Sequence, residues 1–246
     1  MKIGRVEQYI LENTEKNPIH MTLLDPINLD PEKGAKQAAF AESQGTSAIM
    51  VGGSTLTSIQ DLDHFLKRIK EEISIPAIVF PNNINALSRH CDAVWFMSLL
   101  NSIEWYYIIG AQMQGALLVK KLGIEAIPLG YMIFGSDTAA AVMGRVIPLS
   151  PFHGEVASAY ALAAQYLGMH FVYLEAGSGA SSPIPPSTVR TVVRVVDVPV
   201  VVGGGIRSPR AASDAVRSGA KIIVTGTIAE ESSRRLSQII KAVRSR

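Results

Sequence analysis

The sequence predicts an α/β fold, a single-domain (β/α)8 TIM barrel with an extra N-terminal helix, and three observations carry that prediction. Short apolar runs rich in β-branched residues recur along the chain, spaced so that a helix fits between most of them. The runs are apolar throughout and do not alternate, as expected of parallel strands covered on both faces. Eight of them within 246 residues match a closed barrel better than a doubly wound sheet.

In chain order, residues 1–13 carry Ile3, Val6 and Ile10 at helical spacing and read as a helix ahead of the first strand. The strands follow at 21–24, 48–51, 77–80, 93–100, 126–129, 171–174, 198–202 and 222–224. Between them, Asp30-Pro31 opens a helix over 32–44 that stops at Gly45, a second helix over 104–122 stops at Gly123, and Ser208-Pro209 opens a third over 210–218 that stops at Gly219. Each strand is thus expected to feed a helix. Two connections depart from the regular spacing. The stretch 134–154, with Gly135, Gly144, Pro148 and Pro151, reads either as a mobile lid or as a plain surface loop. The stretch 178–187 is stiffened by Pro183, Pro185 and Pro186 and can shape the rim of a site.

Composition narrows the function classes. The formal charge of +2 comes from 23 basic and 21 acidic residues interspersed along the chain, so there is no broad electrostatic footprint for nucleic acid and anion recognition must be local. A single cysteine, Cys91, excludes an internal disulfide framework, and the N-terminus lacks a signal-peptide pattern. The expected location is the cytoplasm. A mean hydropathy of +0.22 is high, yet no apolar run approaches the roughly 18 residues that span a bilayer. The surplus apolar surface is left to line a greasy groove or an oligomer interface.

The chemistry concentrates at strand ends. Tyr173-Leu174-Glu175-Ala176-Gly177-Ser178-Gly179, Val202-Gly203-Gly204-Gly205-Ile206-Arg207-Ser208 and Val224-Thr225-Gly226-Thr227 each close an apolar run. Glycine lets backbone N–H groups approach a phosphate closely, and barrels commonly hold phosphate after strands seven and eight. The alternative is that these glycines only make tight strand-to-helix turns. Tyr173 and Glu175 are two apart and share one side of the sixth strand, where they can grip substrate hydroxyls; a buried Glu paired with a neighbouring Lys or Arg is the other reading. At the first strand, Asp25-Pro26 puts a carboxylate at the same mouth, beside Gly52-Gly53-Ser54-Thr55 of the second. Magnesium binds through hard oxygens, often one carboxylate plus substrate phosphates, so Asp25 and Ser54 are candidate ligands; an Asp-Pro turn is the alternative. No histidines have metal-ligand spacing. His20, His64, His90, His153 and His170 read as packing or surface residues, with His64 and His90 in outer helices.

Taken together, Thr22-Leu23-Leu24-Asp25-Pro26, Val51-Gly52-Gly53-Ser54, the Tyr173 to Gly179 segment, Val202-Gly203-Gly204-Gly205-Ile206-Arg207 and Thr225-Gly226-Thr227 resemble the geranylgeranylglyceryl phosphate synthase family, which includes the bacterial heptaprenylglyceryl phosphate synthases. The resemblance covers nearly the whole chain. It implies a magnesium-dependent (β/α)8 prenyltransferase that joins sn-glycerol 1-phosphate to a polyprenyl diphosphate such as geranylgeranyl diphosphate and releases pyrophosphate, the ether-bond step of archaeal-type lipid synthesis. It further implies magnesium at Asp25 and Ser54, and a glycerol-phosphate pocket formed by Tyr173, Leu174, Glu175, Ala176, Gly177, Ser178, Gly179, Gly204, Gly205, Gly226 and Thr227. Ile27-Asn28 departs from the family, where many relatives carry an acidic residue and a lysine after the Asp-Pro. On this reading Glu175 orients and deprotonates the glycerol hydroxyl, and Tyr173 fixes the glycerol phosphate.

The tail needs an apolar channel, for which Phe80, Trp95, Phe96, Trp105, Tyr106 and Tyr131 are candidates. Homo-oligomers are expected from the family and from Trp105, Ile108 and Ile109 on outward faces, and a prenyl product implies transient contact with a membrane surface. Two rivals remain at this level: a barrel isomerase or lyase acting on a sugar or indole phosphate, and a non-catalytic phosphate-ligand-binding barrel. The first lacks a convincing Lys or Cys partner at a strand end, and the second needs no metal.

Overall fold

The computed structural model describes residues 2–55 and 58–245, and in it eight parallel strands close into a barrel in the order β1 to β8, with β8 pairing back onto β1. The strands are β1 (Ile19–Leu24), β2 (Ala48–Val51), β3 (Ala77–Val79), β4 (Ala93–Leu99), β5 (Glu125–Ile133), β6 (Phe171–Glu175), β7 (Val200–Gly203) and β8 (Ile222–Thr225). The helices are α1 (Arg5–Lys16), α2 (Pro31–Gln44), α3 (Ile59–Lys70), α4 (Ala111–Leu122), α5 (Ala139–Met143), α6 (Gly154–Tyr166), α7 (Pro186–Val193), α8 (Pro209–Arg217), α9 (Thr227–Glu231) and α10 (Ser233–Arg244). Continuous burial along the strands has the expected cause: alternate residues face the barrel interior and the helix layer, and both faces are apolar. Met21, Met50, Ile78, Trp95, Phe171 and Val201 fill the interior, while Leu24, Ile49, Val79, Val94, Leu174 and Val202 meet the helices.

The predicted N-terminal helix forms, shifted toward the C-terminus of its expected span; Met1 lies outside the described residues. Val6 and Ile10 of α1 join the interior core and plug the lower end of the barrel. Glu125 at the start of β5 accepts from the backbone N–H groups of Val6 and Glu7 at 2.9 and 2.7 Å, satisfying donors that the first turn of a helix leaves free. His170 Nδ1 bonds Glu7 at 2.5 Å and ties the same helix to the foot of β6. His20 is fully buried between the hydroxyls of Thr46 and Thr225, each 2.9 Å away, and burial pushes its imidazole down to about 3, so it is a neutral packing residue.

Three local expectations need correction. β3 does not feed a helix: residues 80–92 run as turns into β4, and His90 sits there and not in an outer helix. The cause is side-chain chemistry that competes with helical bonding, since Asn83 Oδ1 accepts from Asn85 N at 2.7 Å and Ser88 Oγ from His90 N at 3.1 Å. The helix expected over 104–122 opens with a π-helical turn, Tyr106–Gly110, before α4. Ser98 Oγ donates to Ile108 O at 2.7 Å and Gln112 Nε2 to Tyr107 O at 3.3 Å, so side chains take up carbonyls there. Third, 134–154 contains α5 and is strapped down. Asn101 Nδ2 donates to Ile133 O and Ile147 O, both at 2.8 Å, and Ser102 Oγ to Gly144 O at 2.7 Å.

Candidate active site

A cavity of about 500 Å³ opens at the C-terminal ends of the strands and extends outward between the β3–β4 connection and α4, through the gap left by the missing helix. Its lining brings together Asp25, Ser54, Tyr173, Glu175, Ser178, Gly179, Gly204, Gly205, Gly226 and Thr227, ten of the residues singled out from sequence. Leu174, Ala176 and Gly177 are not on the wall. Leu174 and Ala176 pack outward toward the helices, as strand alternation requires, and Gly177 stands behind Glu175.

The β6–β8 side is polar and built from backbone. Glu175 ends β6 almost fully buried; its Oε1 accepts from Gly177 N at 2.6 Å, and its carboxylate also accepts from the Tyr173 hydroxyl. Burial pushes the Glu175 carboxyl above the usual range, while the bonds from Tyr173 and Gly177 work the other way. Beneath it, Phe80, Tyr131 and Tyr173 form an aromatic floor with ring centroids 5.3 to 5.7 Å apart. Burial first, and the Glu175 charge second, push both phenols well above their ordinary value, so they stay protonated and can donate. Gly204 has φ +76, and a Cβ there would fall 2.3 Å from Glu175 Oε1 and 2.6 Å from Gly177 N. Only glycine brings the β7 turn this close to the carboxylate.

The β1–β2 side carries acidic side chains. Asp25 Oδ1 accepts from Ile27 N at 2.9 Å, and a Cβ on Gly53 would sit 2.2 to 2.4 Å from the Asp25 carboxylate. That glycine is what lets the carboxylate lie against the end of β2, next to Ser54. Burial raises the Asp25 carboxyl, opposed by the Ile27 bond. Sequence reasoning missed Glu230 of α9, which accepts from Asn28 Nδ2 at 3.1 Å and from the Asp25 backbone N–H. Burial lifts its carboxyl too, and the Asp25 charge adds to that. Asn28 therefore makes a neutral contact to Glu230. The donor chemistry fits magnesium: a carboxylate, a hydroxyl and a second carboxylate, all hard oxygens, on one wall.

The third region is apolar. Phe80, Trp95, Phe96 and Tyr131 line the cavity as expected, joined by Ile84, Leu87, Met97, Tyr107, Gly115 and Val119. Trp105 and Tyr106 do not: Trp105 is 57% exposed, and Tyr106 packs edge-on against Tyr107. The signal for Tyr107 was obscured by the π-helical turn, which rotates this segment away from the phase an α-helix would give. Met143 and Gly144 contribute from 134–154, which is therefore a fastened wall of the site.

A fold with a polar strand-end pocket joined to an apolar arm has a family counterpart, and residues 10–244 match the PcrB family. The chain belongs to that family. It is 50% identical to the geranylgeranylglyceryl phosphate synthase of Thermofilum pendens over 98% of this chain and 96% of that protein. The corresponding protein of Thermococcus gammatolerans is 48% identical over 94% of this chain and 92% of its own length. Among solved structures, (S)-3-O-geranylgeranylglyceryl phosphate synthase from Thermoplasma acidophilum in complex with substrate sn-glycerol-1-phosphate superposes with a TM-score of 0.94 at 38% identity, covering 99% of both chains. The resemblance read from strand-end residues is therefore the right family.

Proposed function

We propose that the protein transfers a geranylgeranyl group from geranylgeranyl diphosphate to sn-glycerol 1-phosphate, giving geranylgeranylglyceryl phosphate and pyrophosphate. One observation carries the reading beyond kinship: a buried, hydrogen-bonded carboxylate, Glu175, lines the same cavity as the glycine-rich wall, the acidic wall and the apolar arm. Those are the surroundings a phosphate-bearing alcohol, a diphosphate and a hydrocarbon tail require. The isomerase or lyase alternative gives no role to the apolar arm.

In the proposed reaction the glycerol oxygen bonds to the allylic carbon while the carbon–oxygen bond to diphosphate breaks, its electron pair leaving with pyrophosphate. Glu175 accepts the hydroxyl proton, and its proton affinity, raised by burial, makes it a stronger acceptor than an ordinary carboxylate. Tyr173 and the Gly177 N–H hold the Glu175 carboxylate in one orientation. Gly204, Gly205, Gly226 and Thr227 offer backbone donors to the phosphate. Asp25 and Ser54 are the residues that would hold magnesium, with Glu230 beside them; a bound magnesium ion supplies positive charge that neutralises the diphosphate. Phe96, Tyr107, Leu87 and Val119 exclude water from the tail. A cytoplasmic homo-oligomer that meets a membrane surface transiently completes the reading. Trp105, Ile109 and Leu117, 57%, 58% and 79% exposed, support self-association, and among the described residues no helix is long and apolar enough to cross a membrane.

The test is product formation with magnesium. Ether product and pyrophosphate should appear only when both substrates are present; pyrophosphate release at the same rate without glycerol phosphate would refute the assignment of acceptor.

A further inference from the structure

The charged side chains among the described cavity-lining residues are Asp25, Glu175, Glu230 and Arg207. Three are carboxylates and one is a cation. A phosphate monoester brings about −1.5 to −2 charges at neutral pH. Backbone N–H groups can orient such a group but supply only partial charge, so a dianion entering a wall that already holds Glu175 calls for a full positive charge close by. Arg207 is where the fold provides it. It follows Gly204-Gly205-Ile206 directly and precedes Ser208, whose Oγ accepts from Ala211 N at 3.2 Å and caps α8. The Arg207 backbone is thus fixed between the glycine turn and a capped helix, and its side chain, 41% exposed, retains freedom to turn. Its Nη2 donates to Glu231 Oε2 at 2.5 Å. Glu231 closes α9, the segment that starts at Thr227 beyond the neighbouring strand β8 on the same side of the pocket.

We propose that Arg207 is the side chain that binds the phosphate of glycerol phosphate, exchanging its ion pair with Glu231 for the substrate dianion. This rests on the glycerol-phosphate reading above and adds a residue to it. An ion pair as exposed as Arg207–Glu231 contributes little, so surrendering it to a phosphate that accepts two parallel bonds from a guanidinium is favourable. Glu231 then acts as a competitor for the guanidinium, and the assignment predicts that of two variants that break the same bond only the one at Arg207 weakens phosphate binding.

Isothermal titration of the magnesium-loaded protein with sn-glycerol 1-phosphate, and separately with inorganic phosphate, tests this. Arg207→Gln should weaken binding of both by about tenfold or more, Arg207→Lys should restore part of it, and Glu231→Gln should bind as tightly as wild type or more tightly. The KM for geranylgeranyl diphosphate should not move in any of the three. Equal weakening in Arg207→Gln and Glu231→Gln would mean the pair is a structural tether and would overturn the proposal. A rise confined to the diphosphate KM in Arg207→Gln would overturn it as well, by giving the arginine to the other anion. Wild-type protein that binds no sn-glycerol 1-phosphate would instead remove the reading on which the proposal rests.

Discussion

At the ends of β6, β7 and β8 the cavity wall is backbone, positioned by the strands themselves and by turns that at Gly204 and Gly205 leave no room for a Cβ. At β3 and β4 the wall is a set of apolar side chains that reach the cavity because a helix is missing between two strands and a π-helical turn rephases the next one. The first wall is rigid and polar and suits a small phosphate of fixed shape. The second is an irregularity in the barrel, and it suits a long chain that must run out of the mouth and along the outside. The acidic wall of Asp25, Ser54 and Glu230 lies between these regimes: side chains on two loops and one short helix, held by Gly53 and Asn28. The difference teaches that the (β/α)8 frame delivers the phosphate end by default, and that the tail end comes from breaking the frame.

Substitutions can break this contrast, starting with the acidic wall. Asp25→Asn should reduce turnover by at least about a hundredfold and abolish magnesium binding followed by calorimetry, while glycerol-phosphate affinity is kept. Retention of full activity would remove Asp25 from the metal site. On the backbone wall, Gly204→Ala must place a Cβ 2.3 Å from Glu175 Oε1 at φ +76. A loss of about 1–3 kcal/mol in chemical denaturation is expected, with a higher KM for glycerol phosphate and no change for the diphosphate. On the apolar wall, a Cβ at Gly115 meets only Leu87 Cδ1 at 3.6 Å, so Gly115→Phe fits its helix and fills the channel. It should raise the KM for geranylgeranyl diphosphate by about tenfold and leave glycerol phosphate and stability untouched. Equal effects on both substrates would show that the two walls are not independent.

The smallest effect concerns stability. Burial raises the Glu175 proton affinity in the folded protein above that of the unfolded chain. The folded state is therefore favoured by this group below the ordinary glutamate range, and that contribution is lost as pH rises through the raised value. Glu175→Gln removes the titration, so its Tm should exceed that of wild type at mildly alkaline pH, with the gap closing in acid. Thermal scans across pH would show it; a constant gap would mean that burial does not set the Glu175 affinity.

The barrel and its polar wall were legible in the sequence because they rest on local rules. Continuous apolar runs report two covered faces, glycines report tight turns, and the two-residue period put Tyr173 and Glu175 on one side. That same period could have excluded Leu174 from the pocket. The tail channel was only half legible: Phe80, Trp95 and Tyr131 face the barrel interior, where alternation holds, and Phe96, one residue on, faces outward into the gap left by the missing helix, whereas Tyr106 and Trp105 fell on the wrong phase because a π-helical turn leaves no periodic trace. The missing helix after β3 was written in Asn83, Asn85 and Ser88, turn formers that the even spacing of strands overshadowed. Glu230 and Arg207 were hidden for another reason, since a short helix after β8 and a loop after β7 carry them to one mouth and only the closed barrel brings them together with Asp25.

The central claim is that the walls converge on Glu175, and comparing binding with turnover in Glu175→Gln tests it most directly. The account predicts that both substrates bind within a few-fold of wild-type affinity while kcat falls by about a hundredfold or more. Unchanged turnover, or a loss of glycerol-phosphate affinity that accounts for the whole fall in rate, would contradict it.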